Sequence, residues 1–150
     1  MKRNTWMGLV ASLLLGFAPM LYGQSAHTTM PVASTTSVNG VVTVNVPFAF
    51  SVQSEQFSAG EYSMSLVNER TVAIRDTAGK KAIVAITNTV TKGSEVLPPQ
   101  LVFHRYGTQY FLTQAWLRQS DTGREFLVTP DEIRMAREYP QQQVTLVAKK

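Results

Sequence analysis

From Val38 onward the chain alternates short runs of β-branched and aromatic residues with turn residues. That is the pattern of a sheet protein rather than of alternating strands and helices. VVTVNV at 41–46 is a strand that Pro47 bends or ends, and FAFSV at 48–52 follows it. SAGEY turns into YSMSLV, NERT connects tightly to VAIRD, and TAGK turns the chain into KAIVAITNTV. TKGSEVLPP at 91–99 is a longer loop, closed by two prolines that hold the residues before them extended. The hairpin LVFHRYGTQYFLTQAW at 101–116, the turn SDTG at 120–123 and the strand REFLV complete the sheet pattern. Such spacing predicts an all-β fold of about eight strands, a small antiparallel β-barrel or a two-sheet sandwich, with one short C-terminal helix before the last strand.

The helix signals agree with one another. Thr129 is placed as N-cap with Glu132 three residues on, Pro130 occupies the first helical position, and DEIRMAREY follows. At 100° per residue Ile133, Met135, Ala136 and Tyr139 share the side expected to pack, opposite Arg134, Arg137 and Glu138. Asp131 and Glu132 suit the positive end of the helix dipole. Pro140 ends the helix and QQVTLVAK supplies a last strand, so the helix is expected to cover an edge or end of the sheet.

Within the hairpin, Gly107 and Thr108 separate two runs of β-formers. A two-residue loop puts Phe103, Arg105, Tyr110, Leu112 and Trp116 on one face and His104 opposite Phe111. A three-residue loop instead sets His104 beside Leu112 and Tyr106 beside Tyr110. In either register a polar group, Arg105 or His104, stands among aromatics. Phe103 and Trp116 are expected in the core, Tyr106 and Tyr110 nearer the surface beside the turn, and Arg105 within reach of Glu125.

The ends of the chain change this picture. Lys2 and Arg3 precede an apolar run, Trp6 to Tyr22, the layout of a signal peptide over 1–23 with cleavage as late as 26. The run is short for a span and is interrupted by Gly16 and Pro19, so no membrane span is expected after cleavage. Residues 24–37, QSAHTTMPVASTTS, read as a flexible leader, and 38–148 as a single β-domain. An outer-membrane barrel fits less well, because its strands are longer and these carry Arg75 and Arg105 midway. Of fourteen basic residues, four stand at the two ends, leaving ten against ten acidic ones. The net charge of +4 therefore gives no basic face, and nucleic acid is not an expected partner. Without cysteine there is no disulfide, thiol chemistry or lipid attachment through cysteine, so the core must hold the fold alone.

Candidate chemistry is sparse. His104 is the only histidine beyond the leader, where His27 lies; no GxSxG elbow holds a serine, and no HxH, HxxxH or HExxH offers a metal pair. No catalytic residue, metal or cofactor is expected. A small β-domain can instead offer an aromatic groove with one or two polar groups. The candidate ligand-binding residues are Phe103, His104, Arg105, Tyr106, Tyr110 and Trp116. Phe48, Phe50 and Tyr62 are further aromatics that either line such a groove or fill the core.

VPFAF at 46–50, AGEY at 59–62, QLVFHRYGTQYFL at 100–112 and TGRE at 122–125 resemble, in this order, a group of small exported proteins common in Acidobacteria, to which no activity is assigned. The resemblance covers most of the mature chain. It departs at Phe57 and Ser58, where the pattern has Leu-Pro, which alters a turn. It implies export and supplies no catalytic residue. The expected function is a non-catalytic periplasmic or extracellular module that binds an apolar or carbohydrate ligand or an envelope protein. A small hydrolase built on His104 is the alternative.

Overall fold

The computed structural model describes residues 27–31, 35–38 and 40–147, with side chains from residue 40 onward. The expected signal peptide lies outside the described residues. In chain order the elements are β1 (His27–Pro31), β2 (Thr35–Val38), β3 (Val41–Val46), β4 (Phe50–Val52), β5 (Glu55–Phe57), β6 (Gly60–Asn68) and β7 (Thr71–Asp76). They continue as β8 (Ala82–Thr91), β9 (Gln100–Tyr106), β10 (Gln109–Trp116), β11 (Thr122–Phe126), α1 (Pro130–Glu138) and β12 (Gln141–Val147). Among the described residues the fold is all-β with one helix before the last strand, as the patterning predicts.

Hydrogen-bonded neighbours follow the path β1, β12, β9, β10, β11, β8, β7, β6, β3, β2, with β4 on β10 and β5 on β4. The ends of that path, β1 and β2, are consecutive in sequence and do not pair with each other, so the sheet is not a closed barrel. Two pairings are parallel, β1 with β12 and β4 with β10, which makes the sheet mixed rather than purely antiparallel. The strand number exceeds the expected eight because FAFSV joins EQF as a three-residue hairpin and because two pieces of the expected leader pair at the sheet ends. Nothing in the apolar periodicity marks β1 and β2. Their pairing is a matter of backbone edges left open by β12 and β3.

The ten-residue β8 joins the two halves: Ala82 to Ile86 pair with β7, and Thr87 to Thr91 pair with β11. Alternate residues of both halves then meet in one apolar cluster, Val42, Val44, Met64, Val72 and Ile74 from one side and Leu101, Phe103, Leu112, Val144 and Leu146 from the other. Phe50 stacks on Phe57, Tyr62 meets both rings edge-on and Phe103 meets Phe50 edge-on, with ring centroids 5.2–5.5 Å apart. Strand β9 is buried on both faces, since Leu101 and Phe103 enter this cluster while Val102 and Tyr106 point the other way and are also covered.

Helix α1 begins as its sequence requires, with the Thr129 hydroxyl accepting from the Glu132 amide at 3.2 Å. Its packed side differs from the expectation. Glu132 and Met135 are buried, whereas Ile133 and Ala136 face solvent and Tyr139 lies half over the turn, 3.3 Å from where a Gly107 Cβ would stand. The helix lies on a sheet face beside the hairpin turn rather than on an edge, because β1 already occupies the edge of β12.

Candidate functional site

Gln109 pairs with Tyr106 across the two-residue turn, and Gly107 takes a φ of +59°, which a glycine adopts without steric cost. Tyr110 then opposes Arg105, Phe111 opposes His104 and Leu112 opposes Phe103, the pattern of the two-residue loop. At Thr113 the ladder slips by one residue: Gln114 opposes Val102, Ala115 opposes Leu101 and Trp116 opposes Gln100. The buried Thr113 hydroxyl donates to the Val102 carbonyl at 3.1 Å, which satisfies a backbone acceptor at the bulge.

That one-residue bulge decides which candidates share a face. Phe103, Arg105 and Tyr110 look inward, while His104, Tyr106 and Trp116 look outward, so the six candidates do not form one site. Phe103 and Trp116 are each 0% exposed, in agreement with their expected burial. Tyr106 is only 3% exposed, contrary to the expectation, because Met135 covers it together with Phe111. Tyr110 is half-buried; it stacks on Phe48 with centroids 3.9 Å apart and has the Arg105 guanidinium 5.5 Å from its ring. Arg105 does not reach Glu125. Its Nε donates to the Gly107 carbonyl at 2.8 Å, bracing the turn, and Glu125 accepts from the Gln114 amide.

The outward face gathers polar groups in rows. By register, Val147, Gln100 and Trp116 lie side by side across β12, β9 and β10; Thr145, Val102 and Gln114 form the next row; Gln143, His104 and Phe111 form the third. The loop residues Lys92, Glu95 and Leu97 border these rows, and α1 covers the third from Phe111 onward. Between them lies a groove of about 360 Å³ whose lining includes Gln100, His104, Gln114, Gln143 and Thr145. This is within the size range of small-molecule sites.

Two features give the groove chemical character. His104 Nδ1 is 3.0 Å from Glu132 Oε1, with the histidine side chain 26% and the glutamate side chain 7% exposed. In a neutral imidazole a carboxylate at Nδ1 favours the tautomer that carries its proton there, with Nε2 the other ring nitrogen. Trp116 packs across Gly123, where a Cβ would come within 2.6 Å of its ring, and its buried Nε1–H has no hydrogen-bond partner among the described residues. Such an unpaired donor costs about 1–3 kcal/mol. Burial, reinforced by the nearby Glu132 carboxylate, raises the Tyr106 phenol above its ordinary pKa.

In sequence terms Glu132 is a capping and dipole residue; in the structure it is also the partner of His104. Glu132, Met135 and Tyr139 form a stripe at i, i+3 and i+7, which would have signalled the packed face had a carboxylate been admitted to it. Gln143 and Thr145 alternate with the buried Val144 and Leu146 along β12, the one sequence signal for the groove floor. Among the described residues there is no group of three His, Cys, Asp or Glu side chains able to hold a metal ion, and no helix long and apolar enough to cross a membrane. No family model, curated protein or solved structure matches the chain.

Proposed function

We propose that the protein is an exported, non-catalytic binding module and that its ligand lies in the groove over β12, β9 and β10. The observation that carries this reading is the convergence of Gln100, Gln114, Gln143, Thr145 and His104 on one concave surface flanked by a helix and a loop. Export rests on the basic start followed by the apolar run Trp6 to Tyr22, and on the resemblance carried by VPFAF, AGEY and the hairpin. The ligand is a polar small molecule or a polar segment of another envelope protein. An apolar ligand has less support, since Phe103, Tyr106 and Trp116, the aromatics that would have gripped it, are buried.

A hydrolase built on His104 draws on one observation, the hydrogen bond to Glu132 that would orient an imidazole base. Thr145 is the one hydroxyl residue in the groove lining, and no serine accompanies the pair there. Native protein purified from culture should carry a ligand or partner identifiable by mass spectrometry, and the same spectra should give a mature N-terminus near residues 24–27. His104→Gln should retain the fold and weaken ligand retention. Loss of a hydrolytic activity in that variant, with retention unchanged, would move the assignment to the hydrolase.

A further inference from the structure

We propose that the groove is a binding site for a neutral carbohydrate, a short oligosaccharide whose hydroxyl groups are shared among Gln100, Gln114, Gln143, Thr145 and His104 Nε2. This rests on the groove being the ligand site and adds the class of ligand. The rows on its floor are two residues apart, so they are spaced by about 7 Å and run for about 13–14 Å from Gln100 to His104. An elongated ligand lying along β9 meets a primary-amide side chain at each row: Gln100 in the first, Gln114 in the second, Gln143 in the third.

The donor set selects hydroxyls. A glutamine amide both donates and accepts, as a sugar hydroxyl does, so each contact is satisfied in either direction. His104 adds a second ring nitrogen, Nε2, beyond the Nδ1 that lies 3.0 Å from Glu132 Oε1, and a hydroxyl can pair with it as donor or as acceptor.

Other ligand classes fit less well. Apart from His104, the charged lining residues are Lys92 and Glu95, one of each sign, so no field gathers an anion such as phosphate. An acyl chain needs a continuous exposed apolar floor; Val102 and Trp116 are 5% and 0% exposed, and the half-buried Leu97 and Val147 are the other apolar lining residues. An extended peptide commonly binds by adding a strand to a free edge. This floor is a sheet face, its central strand β9 is paired on both sides, and the outer edge of β12 is taken by β1.

The test is a titration of the isotope-labelled mature protein, followed through the side-chain amide resonances of Gln114 and Gln143. The probes are cellotetraose, maltotetraose, mannotetraose and chitotetraose, with tetra-alanine and dodecanoate alongside. At least one tetrasaccharide should shift those amides saturably, and Gln114→Ala, Gln143→Ala and His104→Phe should each weaken its binding about 3- to 10-fold. Gln109→Ala, on the same hairpin but beside the turn, should bind as wild type. If no tetrasaccharide binds, the carbohydrate assignment is overturned. In that event, shifts caused by tetra-alanine or dodecanoate would leave the groove as the ligand site, whereas silence from every probe would remove that reading too. Sugar binding unaffected by both glutamine substitutions would place the sugar elsewhere and also overturn the proposal.

Discussion

Two ends of one sheet face are built from the same strands and treated differently. Beside the Gly107 turn, Tyr106 and Phe111 point outward and α1 lays Met135 over them, leaving the His104–Glu132 pair as the polar contact beneath the helix. Two rows along, the same strands present Gln100 and Gln114 with Thr145 of β12, and α1 does not reach them. The covered end has its outward aromatics where a helix excludes water. The open end keeps one buried aromatic, Trp116 packed against Gly123, and otherwise presents amides, which serve a wetted concave surface. The difference teaches that outward side chains of a β-strand can be read only together with what lies above them, since burial and not strand position sets their worth.

The largest effects should come from residues that anchor both ends. Phe103→Ala and Trp116→Ala should each cost about 3–5 kcal/mol, read as a lowered urea midpoint. If both variants melt within a degree or two of wild type, the burial of both residues is refuted and the contrast between the two ends loses its basis. Gly123→Ala disturbs the open end alone, because a Cβ at 2.6 Å from the Trp116 ring forces that ring to move. A loss of about 1–3 kcal/mol is expected, and the Trp116 fluorescence should change with it.

At the covered end, Glu132→Ala should cost about 1.5–3 kcal/mol by removing a charged partner of His104, while Glu132→Gln, which keeps an accepting oxygen, should cost less. Alkaline pH probes the same end. Burial first and the Glu132 charge second raise the Tyr106 pKa; burial first and Asp76 second raise that of Tyr62. Above about pH 10 the unfolded chain loses phenolic protons that the folded chain keeps. Unfolding is then favoured, and stability falls as pH climbs from the unfolded value through the raised folded one. Tyr106→Phe should flatten that fall in denaturant titrations at successive pH values. The smallest effects on stability belong to the open end: Gln114→Ala and Gln143→Ala should stay within about 0.5 kcal/mol of wild type while ligand binding drops. A large destabilisation from either would mean that its amide holds the sheet rather than a ligand.

Local chemistry was legible where it acts over a few residues. The sequence by itself determined the all-β class, the Thr129–Pro130 helix start, the place of a turn at Gly107 and the balance of charge between the ends, because caps, turns and alternation depend on neighbours in the chain; whether that turn takes two residues or three was decided only by the pairing of Gln109 with Tyr106. It also marked Phe103 and Trp116 as core residues from their apolar bulk. The tertiary structure alone decided the rest. One bulge at Thr113 sends Trp116 to the face opposite Phe103, and no residue type in LTQAW announces that slip. The pairing of Glu132 with His104 joins residues 28 positions apart, and it exists only because the helix packs across the strand that carries the histidine. Neither the open ends of the ribbon at β1 and β2 nor the groove could be read from strand patterns, since both depend on which edges and faces remain uncovered once every other element has found its neighbour.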